Sequence, residues 1–374
     1  MNPTPQAAPV GRLASLDALR GFDMMWIMGA DALGSAFSHL SGGPVARFAA
    51  RQLDHVAWEG IRFYDTIFPL FVFMVGVAIP FSLDRFAGPE GRSGALSRIF
   101  RRTVLLYLLG LFYYGGFGTP FDQIRLLGVL QRIALCYCGA SLLYLLLKPR
   151  GIAVAIGALL VGYWLLLRYV PVPGFGPGDF REGHNLTNWI DAHYLPLRKW
   201  DGDHDPEGIL STLPAVTTCL LGVLSGRWIK RVDKTEGQKA RVLALGGVVL
   251  MVLGFAWGTQ FPIVKKLWSS SFVLVAGGWS MLLLSAFYTV ADIWKMDRWL
   301  KPFVWLGSNA LTVYILSNIV DFGALSARFA GGDIAAALNR AWTGSGELLL
   351  ALVSIVLCMV VAGFLYRRKI FLRL

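Results

Sequence analysis

The chain has 374 residues, of which 55% are hydrophobic and only 16% charged, and its mean hydropathy is +0.56. This excludes an ordinary soluble domain and a disordered chain, and points to a polytopic membrane protein. The net charge of +12 does not point to nucleic acid, because Lys and Arg fall in short loops between apolar runs rather than along one stripe with interleaved aromatics.

Residues 1–14 are rich in Pro and Ala, carry a single arginine and lack the pattern of a signal peptide, so they read as a short tail ahead of one transmembrane domain over 15–374. The apolar runs that follow are continuous and near helical-span length, without the alternating ten-residue segments of a membrane β-barrel, so the fold class is all-α. Spans are expected at 15–37, 61–83, 99–114, 126–147 and 151–170. A polar segment at 171–208 interrupts the pattern, and further spans follow at 209–228, 241–258, 271–290, 302–320 and 347–366. About ten spans put both termini on one side. Placing the termini in the cytosol puts 22 Lys and Arg on that face against 12 on the other, with Arg132 inside a span, and makes 171–208 a long outer, periplasmic loop.

Several motifs fail on inspection. The four cysteines sit inside apolar runs with no C-x-x-C, as small buried hydrophobes do. All five histidines fall on or above the outer face without the i, i+4 spacing of a helical zinc site, so no metal centre is expected. The glycines of PGFGPG, 173–178, follow no strand and read as a turn-rich loop. Asp201, Asp203 and Asp205 open like a calcium loop, but Pro206 and Thr212 stand where glycine and glutamate are needed; a looser cation or sugar site stays open.

Charges inside the spans carry more information, since each costs roughly 2.5 to 3.5 kcal/mol at a helix centre. Asp23 and Asp31 lie on the first span, Asp65 opens the second, and Gln131 and Arg132 lie on the fourth. Asp31 is about 15 Å beyond Gly21 along the axis at roughly 1.5 Å per residue, near mid-membrane; the bland reading is an internal ion pair or helix-to-helix hydrogen bond. The run LDHVAWEGIRFYD, 53–65, delivers His55, Trp58, Glu59, Arg62 and Asp65 to one membrane face just before an apolar span. A loop histidine is ordinarily a solvated surface group. His55 differs in its charged surroundings, and a neutral imidazole there can accept a proton near physiological pH.

Six blocks now carry a resemblance: RLASLDALRGFDMM (12–25), HVAWEGIRFYDTIFPLFVFMVG (55–76), RLLGVLQRIA (125–134), DPEGIL (205–210), KKLWSSSF (265–272) and GSNALTVY (307–314). In this order they resemble the heparan-α-glucosaminide N-acetyltransferase family, in its bacterial branch. The resemblance implies a multi-span enzyme of the bacterial inner membrane that moves acetyl from acetyl-CoA to the amino group of a glucosamine-type sugar or glucosaminide across the bilayer. It makes His55 the catalytic candidate. At the first-span position where the family has asparagine this chain has Asp31, a departure that bears on charge and substrate preference at the site.

The residue types suit that chemistry. Acetyl transfer from a thioester needs a free amine lone pair, a base and donors for the oxyanion. His55 supplies a base, or an acetyl acceptor, with Asp31 orienting the imidazole or holding the amine. Arg20, Arg101, Arg102 and Arg132, with Gln131, Ser308 and Asn309 as neutral groups, are candidates for CoA; Arg101 and Arg102 equally obey the positive-inside rule. Trp58, Glu59, Asp65, Asp205 and Glu207 are candidates for the acceptor sugar. A homodimer stays open. Two other classes compete: an amino-sugar permease, weakened by the absence of an evident inverted repeat, and a structural membrane subunit. An O-acetyltransferase of a cell-envelope saccharide is the nearest enzymatic alternative.

Overall fold

The computed structural model describes residues 13–40, 43–86 and 91–372, so the expected tail lies almost wholly outside the described residues, together with Arg12 and Arg373. Among the described residues the protein is all-helical, with only isolated bridges such as Glu59 to Val264 in place of strands. In chain order the helices are α1 (Ala14–His39), α2 (Pro44–Gln52), α3 (Ile67–Leu83), α4 (Arg92–Tyr113), α5 (Val129–Leu146), α6 (Pro149–Tyr169), α7 (Leu186–Tyr194) and α8 (Thr212–Ile229). They continue as α9 (Glu236–Gly258), α10 (Ser270–Tyr288), α11 (Asp297–Ser308), α12 (Ala310–Ile319), α13 (Phe322–Ala330), α14 (Asp333–Ala341) and α15 (Ser345–Arg367).

Local sequence sets many of these boundaries. Asn185, Thr235, Ser269 and Asp321 each accept a backbone N–H through the side chain at the start of α7, α9, α10 and α13, and Thr235 forms a reciprocal capping box with Gln238. Pro149 opens α6 where its missing N–H has no helical partner to lose.

Among the described residues seven helices are long and apolar enough to cross a membrane, or eight if the bent pair α12 and α13 counts as one. Two other expected spans form long helices of different character. α1 carries Asp17, Arg20, Asp23 and Asp31 along 26 residues, and α4 carries Arg92, Arg98, Arg101 and Arg102. The expected span at 302–320 is not one helix: the backbone at Asn309 leaves the helical region with φ −120°, separating α11 from α12, and α13 turns away from α12 by 74°.

Apolar packing organises the bundle. α3 lies along α8, α9 along α10, and α1 along α11. Outward faces of α9 and α15 expose Val248, Val252, Phe255, Leu352, Val356 and Val360, which suits contact with lipid tails. The α3 to α8 contact brings backbone against backbone: a Cβ at Gly76 would overlap the Cys219 carbonyl, and one at Gly222 the Phe73 carbonyl. Small residues permit this close approach, where dispersion replaces the hydrophobic drive that lipid cannot supply. Gly76→Val should therefore destabilise the detergent-purified protein by about 2–3 kcal/mol, read as a lowered thermal midpoint in tryptophan fluorescence, while Gly157→Val, with open space around it, leaves the midpoint in place.

Candidate active site

The run before α3 folds as a turn held by one carboxylate. Asp65 is almost fully buried; its Oδ1 accepts from His55 Nδ1 at 2.8 Å, and its Oδ2 accepts the backbone N–H of Arg62 at 3.0 Å and of Val56 at 3.4 Å. A carboxylate can only accept, so Nδ1 carries the proton of this bond, and in the neutral ring the lone pair is then on Nε2. The ring stacks on Tyr64 with centroids 4.4 Å apart. Lys265 Nζ lies 3.0 Å from Nδ1, 3.2 Å from Nε2 and 3.6 Å from Asp65 Oδ1. Burial pulls the Lys265 ammonium below its ordinary pKa, an effect that Asp65 and Glu207 partly offset.

His55 opens into a cavity of about 320 Å³ that Trp58, Tyr114, Arg125, Trp200, Glu207 and Lys265 help to line. One wall is the 200–211 segment, which is fastened by buried charge. Arg125 donates to Asp205 at 2.8 and 2.6 Å and to Glu207 at 2.5 Å, and its guanidinium lies between the rings of Tyr114 and Trp200. Burial alone would depress the Arg125 pKa, but the two carboxylates hold it above the usual range, while burial raises that of Glu207. Beneath the segment, Asp191 accepts the Ile209 N–H at 2.8 Å, and burial lifts its carboxyl to about 6. Gly208 is required here because a Cβ would overlap the Asp191 carboxylate.

A second cavity, about 330 Å³, lies against the first. Ile27, Phe68, Val129 and Tyr314 line both. Along α1, α3, α5 and α12 the lining passes from one cavity to the other, as from Phe68 through Phe71 to Val75, so the two are stacked along the helix axes. The second cavity carries Arg20, Arg98, Arg102, Ser308 and Asn309. The Nε atoms of Arg98 and Arg102 and both polar atoms of the Asn309 side-chain amide are buried without a hydrogen-bond partner. Such groups suit a polar, anionic ligand that would satisfy them.

The expected residues divide accordingly. His55, Trp58 and Glu207 line one cavity, and Arg20, Arg102, Ser308 and Asn309 the other. Asp65 and Asp205 hold His55 and Arg125 from behind the lining. Five candidates lie elsewhere. Glu59 and Arg101 are exposed and line neither cavity. Gln131 is buried behind Arg125, its amide donating to that backbone carbonyl at 3.4 Å. Arg132 is fully buried, donating to Ser211 Oγ and the Gly208 carbonyl with its guanidinium over Trp268, so it braces the 200–211 segment. Asp31 is exposed rather than deep in the bundle and does not touch His55; it bonds the hydroxyl of Tyr64, whose ring supports the imidazole.

Sequence reasoning missed Arg98 and Lys265. Arg98, Arg102 and Leu106 form an i, i+4, i+8 stripe on α4, a legible signal. Lys265 meets His55 from 210 positions away, which one sequence cannot reveal. Among the described residues Glu182, Asp201 and His204 bring metal-ligating atoms within 4.8 Å of one another, but Lys266 Nζ already sits 2.9 Å from both carboxylates and supplies the positive charge there.

Arg125→Ala would leave Asp205 and Glu207 as buried, uncompensated charges and should destabilise the protein by about 3–5 kcal/mol in thermal unfolding. Arg181→Ala, which breaks only an exposed pair with Asp179, should leave the midpoint unmoved.

No family model matches the chain. Among curated proteins it is similar to the human heparan-alpha-glucosaminide N-acetyltransferase, at 26% identity over 96% of this chain and 59% of that protein. It is likewise similar to the mouse protein of the same name, at 24% identity over 99% of this chain and 61% of that protein. The chain thus spans about three fifths of the length of these curated relatives. It is their homologue over nearly its whole length, and that homology supports its membership of the heparan-alpha-glucosaminide N-acetyltransferase family.

Proposed function

We propose that the protein is a transmembrane acetyltransferase that takes acetyl from cytosolic acetyl-CoA and places it on the amino group of a glucosamine-type sugar at the outer side of a bacterial inner membrane. The observation that carries this reading is the pair of stacked cavities, one holding His55 and the other an arginine cluster with orphaned polar atoms. In this reading α1, α4 and the broken α11 to α12 unit cross the bilayer with the seven apolar helices, giving ten spans over 15–374 as one domain with both termini cytosolic. Arg20, Arg98 and Arg102 then face the cytosol and take the phosphates of CoA, with Ser308 and Asn309 as neutral partners. The thioester end points toward His55.

The acceptor amine binds beside Glu207 and Trp58. His55 Nε2 takes the proton as the amine nitrogen attacks the thioester carbonyl; the C–N bond forms, the C–S bond breaks, and the proton passes to the departing sulfur to give free CoA. The same nitrogen is the atom that would carry acetyl in a two-step route. Lys265, beside Nε2, donates to the oxyanion that forms on the carbonyl oxygen. Asp65 fixes the imidazole tautomer, and Asp31 acts through Tyr64 as a positioning residue.

Acetyl-CoA consumption that depends on added glucosamine tests the reading, since a permease would move the sugar without releasing CoA. His55→Ala should lose at least about a hundredfold in turnover while still binding CoA in calorimetry. Because Lys265 must be protonated to donate, and burial lowers its pKa, turnover should fall on the alkaline side below the ordinary lysine range; Lys265→Arg should move that limb upward. Wild-type turnover in His55→Ala would refute the mechanism.

Orientation has its own test. Val232 and Tyr194 are both exposed, at 100% and 67%. With native thiols blocked, Val232→Cys should label only from the cytosolic side and Tyr194→Cys only from outside. Labelling of both from one side would reject the topology.

A further inference from the structure

We propose that Lys265 is a site of self-acetylation: when acetyl-CoA is bound and no acceptor amine is present, His55 serves Lys265 as base instead, and the protein acetylates and silences itself. The inference rests on the acetyltransferase reading above and adds a modification site to it.

Lys265 is the amine that the fold itself brings to His55. It lines the same cavity with its side chain 23% exposed, and its Nζ lies 3.0 Å from Nδ1 and 3.2 Å from Nε2. Nδ1 is engaged with Asp65 at 2.8 Å, so the lone pair open to the lysine is the one on Nε2. The same carboxylate stabilises the imidazolium that forms when Nε2 takes a proton. Burial is the largest influence on the ionisation of Lys265 and favours the neutral amine, as does the charge of Lys266; Asp65 at 3.6 Å and Glu207 favour the ammonium. Lys266 lines the cavity too, but its Nζ sits 2.9 Å from carboxylate oxygens of both Glu182 and Asp201, which hold it as an ammonium away from the base.

The acceptor and Lys265 therefore compete for one lone pair. With an acceptor bound, its amine takes Nε2, and Lys265 stays protonated as the oxyanion donor. With the acceptor's place empty, the ammonium gives one proton to Nε2, and rotation of the flexible lysine stem brings the bared nitrogen onto the thioester carbon. The C–N bond forms, the C–S bond breaks, and a second proton from the nitrogen goes to the departing sulfur. Nε2 then releases its proton to solvent, so the products are acetyl-lysine, free CoA and one proton. The modification removes the positive charge that meets the oxyanion and fills the space beside Nε2. A modified chain no longer turns over.

The test is the full-length, detergent-purified protein incubated with acetyl-CoA alone, then digested for peptide mass spectrometry. Acetyl should appear on Lys265 at least about tenfold more than on Lys266 or on the exposed Lys301, the scale on which a positioned base acts. Labelling should rise from about pH 7 to about pH 9, since the reaction releases a proton. Glucosamine present from the start should suppress it, and turnover with glucosamine added later should fall in step with the labelled fraction. His55→Ala should cut labelling of Lys265 by at least about tenfold and leave the background on Lys301 unchanged. Unmodified Lys265 in protein that transfers acetyl to glucosamine overturns the inference, as does equal labelling of Lys265 and Lys266, or acetyl found on His55 alone. Wild type that neither transfers acetyl to glucosamine nor labels Lys265 instead rejects the functional reading itself.

Discussion

The site depends on keeping ionised groups inside an apolar bundle without leaving any of them alone. Arg125 is the clearest case: two carboxylates and two aromatic rings surround one guanidinium, and in doing so they bind the 200–211 segment to the start of α5. Removing such charges from water is expensive, and only near-complete pairing offsets it. The arrangement is therefore close to all-or-none. Once Asp205 and Glu207 are in place on Arg125, Trp200 closes over the ring of contacts and Glu207 is left on the cavity wall beside Lys265. Arg132 and Asp191 secure the same segment from below through Gly208 and Ile209.

Asp65 plays the corresponding part on the other wall. Its single buried carboxylate orders the turn at 62–66 and the imidazole of His55 together, so the placement of that ring and the start of α3 are one structural event. Lys265 enters from the α9 to α10 connection, where Ser269 caps α10 and Trp268 adopts a left-handed backbone with φ 51°. The strain at that residue puts a buried ring behind Phe68 and leaves the lysine pointing back to His55. A lysine ammonium and a buried carboxylate thus reach the imidazole from elements far apart in sequence.

Stacking two cavities end to end separates two sets of charged groups. Arginines collect at one, where α4 places Arg98 and Arg102 a helical turn apart, and the histidine with its acids and lysine faces the other. The break at Asn309 matters here, because an uninterrupted helix would have used its backbone groups internally and carried the amide elsewhere. Instead α11 ends at the cavity with Ser308 and Asn309, and α12 begins there and brings Tyr314 to the common wall.

What the sequence determined by itself was helical class, membrane character and the polar stretch before α3. These are local properties: hydropathy over a span, capping residues at Thr235 and Ser269, and a histidine set among charges before an apolar run all act within a few residues. The order of six motif blocks also pointed to the family. Only the tertiary structure decided which charges face which cavity. Asp31 looked like the partner of His55 because it seemed deep on a neighbouring helix, yet helix rotation turns it outward onto Tyr64, and Asp65 takes the imidazole. Arg132 looked like a ligand group because it is costly to bury, and that cost is met by Ser211, Gly208 and Trp268. Burial penalties can be read from one sequence, but the partner that offsets each of them is fixed by helix rotation and packing, which a single sequence does not encode locally.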